Sequence, residues 1–188
     1  MGEGECLPPL TVSGLTLNDM QAINSIMIWL FRAVSMVYYS RELLPRECFK
    51  DTLADIQPTQ LSRSPFALPH CPSQDDTSQR HKVLVKGVSL RGDALFDLIE
   101  KVVLPDLRLK RMVCFQLLIV ADPFKKPMHV LEDYVFTINH DGHTSVDVTM
   151  NPKQKSRKKV VVADVVGNIK HSLQNLRHVL MSLDPLPS

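Results

Sequence analysis

The segment Ile23–Tyr39 is apolar on almost every side of the helix it would form. Its polar positions, Gln21, Ser25, Arg32 and Ser35, fall on one thin stripe at helical spacing. A helix of this kind cannot lie on a surface, so it predicts the central helix of a domain with other elements around it. The apolar stretch is shorter than the roughly 20 residues of a membrane span and contains Arg32, so it reads as a core helix and no membrane is expected as a partner. Thr16 followed by Asp19 resembles a capping box with Asp in the place of Glu or Gln. Pro45 ends the helix, which runs to about Arg41.

The 188 residues suit one domain with a real core. A net charge of +2 gives the whole molecule no strong pull on nucleic acid or membrane. The four cysteines, Cys6, Cys48, Cys71 and Cys114, are widely spaced with no C-x-x-C pair. That spacing argues against a disulfide framework or a zinc site and fits a reducing, intracellular compartment. Cys114 sits in an apolar run and reads as a small core residue. Glu3 and Glu5 stand where a secretory signal would carry basic residues.

Residues 1–15 read as a flexible arm, and Cys48–Ile56 as a weak extended segment. From 62 to 80 the chain holds Pro65, Pro69, Pro72 and the polar run Ser73–Gln79, the composition of a long mobile loop. Limited proteolysis is expected to cut there first. A short strand follows at Val83–Val85, ending at Gly87. A second helix is predicted from Leu90 to Val103, stopped by Pro105. The continuous apolar run Met112–Val120 predicts a central strand covered on both faces. Alternating patterns at Val130–Asn139 and Thr144–Met150 flank Asp141-Gly142, a strong hairpin signal. Residues 151–159 form a basic connector. A third helix carries Val165, Ile169, Leu173, Leu176, Leu180 and Leu183 on one face. The fold class is α+β: two layers, an antiparallel sheet packed with three helices.

In this order the elements resemble a HORMA domain. Phe31–Phe49, with Tyr38-Tyr39-Ser40-Arg41-Glu42 and Pro45, is similar to the family's first helix and the Pro-x-x-x-Phe after it. Val85-Lys86-Gly87-Val88-Ser89 resembles the approach to the second helix. Leu131-Glu132-Asp133-Tyr134-Val135-Phe136 resembles the family's leucine, acidic, x, tyrosine, x, phenylalanine strand. Leu104–Arg111 and Leu183-Asp184-Pro185-Leu186-Pro187 are similar to the meiotic chromosome-axis branch. The resemblance spans about residues 17 to 187. It implies a non-catalytic interaction module of a nuclear, chromosome-associated protein that supports homologue pairing and recombination. Its implied partners are axis proteins bearing closure motifs, with chromatin reached indirectly and no cofactor or small-molecule substrate. In that family a further strand and a mobile safety belt follow the third helix, and a partner's closure motif joins the sheet as a strand beneath the belt. Against this pattern, 16–188 is expected to be a HORMA domain without its last strand and belt, and to hold closure-motif peptides weakly. Two alternatives stand beside it: a HORMA adaptor of the spindle-checkpoint or translesion-polymerase class, and a small nucleic-acid binder using residues 153–159.

No nucleophile elbow, phosphate loop or His-Glu-x-x-His supports catalysis. His140 and His143 flank a turn, and His171 and His178 sit on one helix face, where solvated histidines are ordinary. Glu132 and Asp133 are strand neighbours and so point to opposite faces. Arg91-Gly92-Asp93 spells an adhesion tripeptide at a helix start and is read as coincidence. Lys153, Lys155, Arg157, Lys158 and Lys159 form the basic run, a candidate for nuclear import or phosphate contact against a plain solvated connector. Thr59, Ser73 and Ser78 each precede Gln, the pattern of checkpoint-kinase targets. The meiotic resemblance gives that pattern a context, while polar loops are rich in both residue types.

Overall fold

The computed structural model describes residues 17–53, 80–122, 124, 126–127, 129–140, 145–152, 158–162 and 169–186. The first helix, α1, is Leu17–Ser40. Even its polar stripe is covered, with Ser25, Arg32 and Ser35 buried alongside Ile26, Trp29, Leu30 and Val37. Ser35 shows why a hydroxyl is tolerated there. It donates to the Phe31 carbonyl at 2.7 Å and accepts the Leu84 amide at 3.2 Å, tying helix to strand.

Glu42 ends α1 in the left-handed region, with φ +52°. The Glu42 amide reaches the Tyr39 carbonyl and the Leu43 amide reaches that of Tyr38, the paired bonds of a Schellman turn. A Schellman turn thus stops the helix ahead of Pro45. Capping residue Thr16 and the side chain of Asp19 lie outside the described residues.

Strands β1 (Phe49–Leu53) and β2 (Arg80–Leu84) form an antiparallel pair. Arg80 therefore belongs to a strand and not to the 62–80 loop, because it pairs with Leu53. The rest of that loop lies outside the described residues. Ser89 caps α2 (Leu90–Leu98), its hydroxyl accepting the Gly92 amide at 3.0 Å. A Cβ on Gly92 would meet Ser89 Oγ at 3.0 Å, so glycine lets the helix start close to the hairpin.

The expected stop at Pro105 does not occur. A π turn at Ile99–Val103 leads into α3 (Leu104–Arg108), with Pro105 in its first turn. Val103 and Leu104 keep helical dihedrals and the Leu104 amide bonds the Ile99 carbonyl, so the helical run passes through Pro105 with the wider π turn directly before it. Leu109 and Lys110 then close α3 with a second left-handed residue, Lys110 at φ +53°.

Among the described residues the main sheet has four antiparallel strands in the order β3-β4-β5-β6: Cys114–Val120, Val130–Asn139, Ser145–Pro152 and Lys158–Val162. β4 and β5 pair as the alternation requires, Asn139 facing Ser145, while Asp141-Gly142 itself lies outside the described residues. The basic connector needs correction. Asn151 and Pro152 finish β5, while Lys158 and Lys159 open β6 opposite Met150 and Thr149. The β-branched run Val160-Val161-Val162 favours a strand, and the lysines before it hide that signal.

A second correction concerns β3. It is an edge strand, and its residues alternate between a core face (Phe115, Leu117, Ile119) and an open one (Cys114, Gln116, Leu118). Cys114 is accordingly exposed, not a core residue. Apolar composition alone could not distinguish a strand with two covered faces from an edge strand with one.

The core forms where α1 meets the sheet. Trp29 stands edge-on to Phe136 at 6.1 Å between ring centroids, and Phe115 lies 5.8 Å from Phe136. Phe31 meets Phe96 of α2, and Tyr39 meets Phe49 of β1. The last helix, α4 (Ile169–Met181), packs on α1 and buries Leu173, Leu176 and Leu180. α1 is thus enclosed by sheet, hairpin and helices.

Candidate functional site

Among the described residues β3 presents an unpaired edge. The Ile138 amide bonds the Val113 carbonyl at 2.9 Å, which sets the phase of the β3–β4 ladder. Phe115, Leu117 and Ile119 therefore face β4 with both backbone groups. By alternation, Cys114, Gln116 and Leu118 turn their N–H and C=O groups away from the sheet. Among the described residues no strand lies beyond them. Such an edge is a template for another chain.

The opposite end of β4 is built around Glu132. Its carboxylate accepts Arg41 Nε at 2.9 Å, a second bond from Arg41 Nη2, and the Tyr134 hydroxyl at 2.7 Å. Arg41 Nη2 also donates to the Asp184 carbonyl at 2.7 Å. Burial, and then the bond to Glu132, push the Tyr134 hydroxyl well above its ordinary range, so it stays a donor. The end of α1, the Leu131–Phe136 strand and Leu183-Asp184-Pro185 are far apart in sequence and meet here. Asp133 points the other way and accepts Gln116 Nε2 at 2.9 Å on the open face. This arrangement holds the segment after α4 against the sheet; it has the character of a structural clasp.

Of the residues singled out from sequence, Thr59, Ser73, Ser78, Lys153, Lys155 and Arg157 lie outside the described residues, as does His143. Lys158 and Lys159 are placed on β6, away from β3 across the sheet. His140 Nε2 lies 2.8 Å from the Met112 carbonyl, a structural contact at the start of β3. His171 and His178 are exposed on α4. Asp93 of the Arg91-Gly92-Asp93 tripeptide accepts the Gly87 amide at 2.7 Å and Gly92 is buried, so the tripeptide is part of the α2 start. Among the described residues no group of His, Cys, Asp and Glu is placed to hold a metal.

Sequence reasoning passed over His81. It is 2% exposed, and neither ring nitrogen has a hydrogen-bond partner among the described residues. Thr52, its partner across the hairpin, has an unpaired hydroxyl as well. Burial, helped by the Arg32 and Arg177 charges, holds the His81 pKa down to about 4. Flanked by Arg80 and Lys82, this histidine looks solvated in the sequence. Only strand alternation turns it inward.

The chain is similar over its whole length to the meiosis-specific protein HOP1 of Saccharomyces cerevisiae, at 22% identity over 200 residues. It spans 31% of that relative. No solved structure gives a significant match. The family profile described as HORMA domain matches residues 23–188, from the buried face of α1 to the last residue. With the central helix, the meander and the clasp all inside that match, the chain belongs to the HORMA domain family.

Proposed function

We propose that this chain is a non-catalytic protein-interaction module of a meiotic chromosome-axis protein, working in the nucleus on chromosomes. It takes a partner peptide as an added strand on the free edge of β3. Family membership supports an adaptor, and the similarity to a meiosis-specific protein supports the setting. The observation that carries the docking mode is the outward backbone of Cys114, Gln116 and Leu118. Main-chain bonds along such an edge supply affinity, and alternate side-chain contacts supply selectivity. The partners in this reading are axis proteins with closure motifs, which would support homologue pairing and recombination. Thr59, Ser73 and Ser78 are proposed phosphorylation sites, to be sought by mass spectrometry of meiotic cells.

Gln116→Pro tests the docking mode. It removes one outward amide, and an edge strand tolerates proline at such a position. Calorimetry with closure-motif peptides should show binding to the parent chain and a loss of about tenfold or more in the variant, with circular dichroism unchanged. Equal binding by parent and variant would place the peptide elsewhere.

A further inference from the structure

Between α1, the hairpin, α4 and the segment after α4 lies a cavity of about 770 Å³. Sites that enclose ligands run from about 300 to 1,000 Å³. Among the described residues none that lines it belongs to β3, β4, β5 or β6, which sets it apart from the proposed peptide edge. Met36, Leu180, Leu183 and Leu186 supply apolar wall, while Arg80, His81 and Arg177 supply polar wall.

The polar wall is unfinished. In native folds roughly nine-tenths or more of buried polar groups are hydrogen-bonded. Here both His81 nitrogens, buried just behind the wall, and Thr52 Oγ1 on the facing residue have no partner among the described residues. The charges set the sign of what would complete it. Arg41 is committed to Glu132, Lys82 to Asp51 at 2.9 Å, and Glu42, the other carboxylate on the wall, to Arg46 at 3.1 Å. Arg80 and Arg177 make no ion pair among the described residues. The field of Arg177 already acts on His81. An anion seated between Arg80 and Arg177 neutralises both guanidinium groups, and the neighbouring leucines favour apolar groups beside it.

We infer that this cavity receives a short acidic peptide segment of a partner protein, its carboxylate taken by Arg80 and Arg177 and its apolar side chains by Leu180, Leu183 and Leu186. The carboxylate favours the protonated imidazole, so occupancy draws the His81 titration upward. The site gives the module a second contact, selective for charge, whose orientation is independent of the β3 edge.

The probe is a fluorescein-labelled, capped peptide of sequence Gly-Leu-Glu-Leu-Glu-Leu-Gly, with its glutamine counterpart, titrated against the full chain by fluorescence polarisation. The glutamate peptide should bind more tightly by about tenfold or more, the scale of a charge-assisted hydrogen bond. Arg177→Glu, at an exposed position, should lose that difference; Arg177→Lys should retain part of it, and Gln116→Pro should leave it intact. In parallel, nitrogen-15 NMR should show the His81 midpoint rising by about one unit or more on binding. Equal affinity for both peptides overturns the inference. So does an unchanged Arg177→Glu variant, a preference for a phosphoserine peptide that excludes the glutamate one, or shifts confined to β3 amides.

Discussion

Arg41 and Glu132 stand 91 positions apart and meet in a two-bond ion pair, with both side chains at least nine-tenths enclosed. Arg41 is held at the capping position of α1 by the turn at Glu42, and Glu132 by the inward phase of β4. Neither element alone brings the charges together. The pair also reaches the Asp184 carbonyl, so one guanidinium joins the first helix, the sheet and the segment after the last helix.

Glu132→Ala strands a buried guanidinium and should cost about 3–5 kcal/mol. Replacing both partners, Arg41→Met with Glu132→Leu, should recover most of that loss, because a buried pair offsets its own desolvation only when intact. Urea denaturation of the three chains checks this. A Glu132→Ala loss below about 1 kcal/mol, the range of an exposed pair, would contradict the enclosed geometry.

His81 should make stability fall in mild acid. Its folded pKa of about 4 lies below the ordinary 6.5, so as pH drops the unfolded chain takes up the proton first. The stabilising effect of keeping it neutral is fully present above 6.5 and is lost progressively as pH falls towards 4. Between pH 7 and pH 5 the loss should be about 2 kcal/mol. His81→Leu should remove that part of the slope. Parallel pH profiles of the parent and variant, by urea midpoint, would assign the loss to carboxylates instead.

Phe136→Ala should cost about 3–5 kcal/mol, because the ring is fully buried against Trp29 and Phe115. Leu118→Ala should cost less than about 1 kcal/mol, since that side chain is 44% exposed on the open face of β3. Thermal denaturation compares them. Similar losses would mean that β3 is covered on both faces.

Hydrogen exchange should find slow amides within Lys158–Val162, where β6 pairs with β5. Exchange there at the rate of unprotected peptide would restore the connector reading of that segment.

The two helical stripes and the β4–β5 alternation were legible because each is a local pattern: one element, one covered face, one period. The breadth of apolar cover on α1 was legible for the same reason. The edge position of β3 was not legible. An apolar run reports that a strand wants burial, not which neighbours the topology supplies. Lys158 and Lys159 concealed β6 because charge dominates a short window, while the pairing that overrides it comes from β5. The orphaned His81 escaped notice because inward or outward is a single-residue phase, and Arg80 and Lys82 suggested the wrong one.

Hydrophobic period and the order of elements, both local along the chain, were enough for the central helix, the β4–β5 pair and the α+β class, while the family resemblance rested on residue motifs such as Leu131–Phe136. Only the assembled layers bring Arg41 to Glu132, leave β3 with a bare edge among the described residues, and gather Arg80, His81 and Arg177 at one cavity. Those are relations between segments, and they exist only once the layers close and water is excluded between them.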